Sequence, residues 1–93
     1  MSQSLTNERI TEILADAERF VAANPYPYYA QAWDLWAEQA STETRAIFLG
    51  IRANTPGNRH ATGEHDASKP SLKDLSEDLR QLLDTSWDVW AKS

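Results

Sequence analysis

The chain has 93 residues, a formal net charge of −5, 4 Trp and no Cys, with 41% hydrophobic and 25% charged residues. That length suits one small domain, and ordinary hydrophobic and charged fractions argue against a wholly disordered chain. The lack of cysteine excludes disulfides, thiolate zinc sites, iron–sulfur clusters and cysteine nucleophiles, and the acidic balance disfavours direct binding of nucleic acid or anionic membranes.

Ile10, Ile13, Leu14, Ala17, Phe20 and Val21 recur at the period of an apolar helical stripe and predict a first helix over about residues 6–23. Thr6 is placed to cap it, and Leu5 with Ile10 has the spacing of a hydrophobic staple. Asn24-Pro25 ends it, and Pro25-Tyr26-Pro27 predicts an extended or turn-like connector.

The helical pattern resumes over residues 28–53. Tyr29, Ala32, Trp33, Trp36, Ala37 and Ala40 fall on one side, and Ile47, Phe48 and Ile51 form a later buried face. Ser41 with Glu43 reads as a fresh helix start, so a break or kink is expected there.

Residues 54–70 hold two Gly, two Pro and no apolar residue larger than alanine, which predicts a long polar loop. A last helix over about residues 71–91 is expected from Ser71 as cap, Asp74 as capping-box acid, and a stripe of Leu72, Leu75, Leu79, Leu82, Ser86 and Val89. No strand pattern competes. The expected fold is therefore all-α, a compact single-domain bundle of three to four helices with one long polar loop before the last.

The strongest internal regularity is a short repeat: Trp33-Asp34-Leu35-Trp36-Ala37 returns 54 residues later as Trp87-Asp88-Val89-Trp90-Ala91. Each copy puts two Trp on one side of a helix and turns the Asp elsewhere. These indoles suit either a shared core or a binding surface. The Tyr26-Pro27-Tyr28-Tyr29 corner joins restricted backbone to amphipathic rings, a combination favoured at recognition surfaces.

The loop gathers most of the residues able to do polar chemistry. His60, Glu64, His65 and Asp66 are candidate metal ligands or an acid–base set, although their spacing matches neither a zincin helix nor a finger. Arg52, Arg59, His60 and Lys69 are the candidate anion ligands, without the Gly-Lys-Ser/Thr run of a phosphate loop. No nucleophile elbow occurs, so no catalytic residue is assigned and a non-enzymatic role is expected.

Met1-Ser2-Gln3-Ser4 has neither the basic region nor the apolar stretch of a secretion signal, so the cytoplasm is the expected compartment. The leading expectation is a protein that binds and inhibits or regulates another protein with a basic surface. Tyr26, Tyr28, Tyr29, Trp33 and Trp36 would anchor it, with Asp34 and Glu38 as an acidic rim and no cofactor required. In size, acidity and motif poverty the chain is similar in type to small helical inhibitors of phages and mobile elements, such as anti-CRISPR proteins, and to antitoxins and immunity proteins. Two alternatives remain open: a small-ligand or nucleotide-binding module using the aromatic corner with the Arg/His loop, and metal-dependent hydrolysis on the loop. A homodimer is expected, since small domains often supplement a limited core by pairing.

Overall fold

Thr6 opens the first helix. In the computed structural model, which describes residues 6–55 and 69–92, its Oγ1 accepts from the Arg9 amide at 3.1 Å, satisfying one of the orphan donors of a helix start. Helix α1 then runs Asn7–Ala23. Asn24 closes it, donating through both its amide and its side-chain Nδ2 to the Phe20 carbonyl, each at 3.0 Å.

The connector turns through Pro25–Tyr29, with a cis Tyr26–Pro27 bond, and its own backbone starts the next helix: the Tyr29 amide donates to Pro25 O at 3.3 Å. Helix α2 spans Ala30–Gln39. The expected break follows at once. Ala40 is extended (ψ 135°), Ser41 Oγ accepts from the Thr44 amide at 3.1 Å, and α3 runs Thr42–Ala53. Residues 28–53 are thus two helices.

The end of α3 is tied to residues 69–72. Thr55, buried, donates from Oγ1 to Ile51 O at 2.8 Å and accepts there from the Leu72 amide at 2.9 Å. Asn54 Nδ2 donates to the Lys69 and Pro70 carbonyls, each at 3.2 Å.

The last helix begins later than the sequence pattern suggests. Ser71 and Asp74 do form the capping box, but it closes only a single 3-10 turn, Leu72–Asp74, before Leu75 becomes extended (ψ 152°). Ser76 then supplies a second cap, its Oγ accepting from the Leu79 amide at 3.1 Å, while Glu18 of α1 accepts from the Ser76 amide at 3.2 Å. Helix α4 is Glu77–Lys92. A local box at Ser71 competes with a start at Ser76 that is also held by a distant carboxylate, and the helix forms from the latter.

The fold is an all-α bundle, with α4 packed on α2 and α1. Ile13, Ala17 and Val21 of α1, Trp33 and Ala37 of α2, Ile47, Phe48 and Ile51 of α3, and Leu79, Leu82 and Leu83 of α4 are buried together, with Leu75 from the entry to α4. Against this core runs a chain of rings with only Phe48 fully buried: Phe20 stacks on Trp36 at 5.9 Å, Trp36 lies 5.4 Å from Phe48, and Phe48 lies 6.1 Å from Trp90. One ring from each helix takes part, at the separations where aromatic pairs attract beyond simple burial.

Outside the core, Arg9 reaches from α1 to the first turn of α3, donating to Glu43 through Nε and Nη2 at 3.3 and 3.1 Å. Chiefly through that hydrogen bond, the Glu43 carboxyl is held below the ordinary carboxylate range. A carboxyl lowered on folding contributes stability that is complete above its unfolded pKa and disappears as the pH falls through the folded value. Glu43→Gln is therefore expected to narrow its stability deficit against the parent as the pH falls from neutral to about 3, read from denaturant midpoints. In the core, Leu79→Ala should cost about 2–5 kcal/mol by denaturant unfolding, because Leu79 is fully buried and its removal opens a cavity.

Candidate functional site

Two of the three tyrosines at the α1–α2 corner are about half exposed and the third almost wholly so: Tyr26 44%, Tyr29 49%, Tyr28 86%. The corner is nonetheless firmly founded. Trp33, one turn into α2, is completely buried and its indole N–H donates to the Asn24 carbonyl at 2.7 Å. Tyr26 lies against that indole, ring centres 5.0 Å apart. The expectation that Trp33 is a surface anchor is corrected: it has no accessible surface and acts as the floor on which Tyr26 rests. Trp36 is likewise held between Phe20 and Phe48 and is only partly exposed.

The repeat acquires a geometric meaning here. Trp90 of the second copy donates its indole N–H to the carbonyl of Ala37, the last residue of the first copy, at 2.9 Å. Trp90 thus bonds across from α4 to α2, while the aspartate of each copy, Asp34 and Asp88, is exposed. Asp34 and Asp88 both line one open groove of about 670 Å³, together with Tyr26, Glu38, Val89 and Lys92. Tyr26, Asp34 and Glu38 are among the binding residues the sequence suggests; Asp88, Val89 and Lys92 are additions of the structure, although the matching Asp in each repeat is a signal for the first.

Charge in the groove is left open. Among the described residues Glu12, Asp16, Glu43 and Asp84 each have an arginine partner, whereas no ion pair involves Asp34, Glu38 or Asp88. Glu38 uses only its backbone, whose carbonyl accepts from Arg45 Nη2 at 3.3 Å.

The anion-site candidates do not assemble. Arg52 is 7% exposed, its guanidinium 4.7 Å over the Trp87 ring and Nη2 3.9 Å from Asp84. Its charge therefore serves the α3–α4 contact, correcting its assignment as an open anion ligand. Lys69 is exposed, ahead of Ser71. Arg59, His60, Glu64, His65 and Asp66 lie outside the described residues, and with them the candidate metal site. Among the described residues no group of three or more His, Asp or Glu is arranged to hold a metal ion, and no helix is long and apolar enough to cross a membrane.

Compared with protein-family models, curated proteins and solved structures, the chain finds no match. The site must therefore be interpreted from its own chemistry. Its division into floor and surface is measurable: Trp33→Phe, which strips the Asn24 carbonyl of its indole donor, should lose about 1–3 kcal/mol. Tyr28→Ala should stay within about 0.5 kcal/mol of the parent in the same unfolding experiment.

Proposed function

We propose that the chain is a non-enzymatic binding protein that acts by covering a surface of another protein, with the Pro25–Tyr29 corner as its contact and the α2–α4 groove as its acidic rim. The observation that carries this reading is the exposure of Tyr26, Tyr28 and Tyr29 on a corner anchored by fully buried Trp33. Tyr26, already lying against Trp33, loses little conformational freedom on binding, and exposed tyrosines are enriched among interface hot spots. Leu35, 56% exposed, is a further exposed apolar side chain on α2.

The net charge of −5 favours a partner with a basic surface, because complementary fields speed encounter and suppress wrong partners. Occlusion of a functional surface is also the mode of action implied by the similarity in type to small helical inhibitors, so inhibition or regulation of the partner follows from binding without any chemistry on this chain.

The test is capture by the immobilised protein from a lysate of its native cells, comparing the parent with a Tyr28→Ala, Tyr29→Ala variant of unchanged thermal stability. A hot-spot loss of about 2 kcal/mol corresponds to a fall of roughly 30-fold in affinity for the captured partner. Equal retention by parent and variant would overturn the proposal.

A further inference from the structure

Resting on the protein-binding reading, the geometry points to a particular occupant of the groove: we infer that it receives a single arginine side chain of the partner, its guanidinium against the Tyr26 ring and its charge met by Asp34 and Asp88. The acids stand on both helical walls, Asp34 and Glu38 on α2 and Asp88 on α4, while Lys92 supplies the only cation among the described lining residues. Three carboxylates against one ammonium leave the groove two charges negative, and no ion pair engages those carboxylates among the described residues.

Tyr26 separates this groove from an ordinary patch of acids. Tyr26 is 44% exposed, its ring lies 5.0 Å from that of Trp33, and it lines the same groove as the carboxylates, which adds a positioned aromatic ring to them. A guanidinium fits both features, since it stacks on aromatic faces and binds carboxylate through a planar fork, whereas an ammonium is a compact, strongly hydrated point charge. Ala30 and Val89, which also line the groove, offer apolar surface to the methylene stem. The same chain already uses this chemistry internally, with Arg45 5.5 Å over Trp90 and Arg52 4.7 Å over Trp87. The groove presents the acceptor half of such a pair to solvent. Lys92 on its wall disfavours a second cation, which makes one arginine a better occupant than a polybasic run.

The experiment titrates the isotope-labelled full chain with a blocked pentapeptide bearing one central arginine, and with its lysine and citrulline counterparts, by NMR. Shifts centred on Tyr26, Asp34 and Asp88, with the arginine peptide bound about 5-fold or more tighter than the lysine peptide and the citrulline peptide inert, support the assignment. Asp34→Asn with Asp88→Asn should weaken the arginine peptide by about 10-fold, whereas Glu8→Gln with Glu77→Gln, which removes the same charge elsewhere, should change it less than about 2-fold. Equal weakening in both variants, equal binding of citrulline, or shifts away from the groove would overturn it. If the arginine peptide fails while the Tyr28, Tyr29 variant still loses its partner, the occupant is wrong and the binding reading stands; if that variant also retains its partner, both fall.

Discussion

Two indole N–H groups, each aimed at a backbone carbonyl near the end of a helix, set the geometry on which the rest of this bundle depends. The last carbonyls of a helix have no partner within it, and burying them unpaired is costly. Trp33 answers Asn24 at the end of α1, and Trp90 answers Ala37 in the last turn of α2. Each bond joins a large apolar body to a polar requirement that only a donor of the right reach can meet. A phenylalanine at position 33 would keep an aromatic ring and leave the Asn24 carbonyl without that donor, whereas the Ala37 carbonyl also accepts from the Ala40 amide at 3.3 Å. Arg45 extends the same solution, donating to the Glu38 carbonyl while lying over Trp90.

Once those bonds are fixed, the orientation of the helical faces follows. A tryptophan pair three residues apart on α2 faces the bundle, so the residue immediately after the first tryptophan turns outward, and the same holds on α4. Packing α2 against α4 therefore places Asp34 and Asp88 on walls of one groove. The corner is set by the same means. Because Trp33 is pinned to the end of α1, the chain between them must turn within Pro25–Tyr29, and the tyrosines are left outside with Tyr26 resting on the indole. The proposed contact surface and the core are built from neighbouring residues, with Tyr26 outside and Trp33 beneath it.

Much of the fold was legible because it is written in local signals. Thr6 and Ser41 cap where their side chains predict, and the stripes Ile13, Ala17, Val21 and Ile47, Phe48, Ile51 are buried as their spacing requires. The start of α4 was not legible, because Ser71 and Ser76 are both plausible caps and the choice involves Glu18, 58 residues away in sequence from Ser76. The site was legible in part. Exposure of the tyrosine corner follows from its prolines and its position between helices, whereas the roles of Trp33 and Arg52 depend on tertiary partners: no periodicity tells that an indole will find Asn24 or that a guanidinium will lie over Trp87. The groove required knowing that α2 and α4 are neighbours.

The distribution of arginines links stability to function. Arg9 joins α1 to α3, Arg45 closes the α2–α3 corner, and Arg52 lies over Trp87 between α3 and α4, so three of the basic side chains hold helices together. Arginine suits that work, since its delocalised charge tolerates partial burial against an aromatic face better than a lysine ammonium does. Drawing positive charge inward has an outward consequence. The acids, which have no comparable task in the core, populate the surface, and around the α2–α4 groove they stand without an ion-pair partner among the described residues. A chain too short for a large apolar core thus fixes its helices with indoles and guanidiniums, and the carboxylates left outside are what give the proposed contact at the aromatic corner its complementarity to a basic surface.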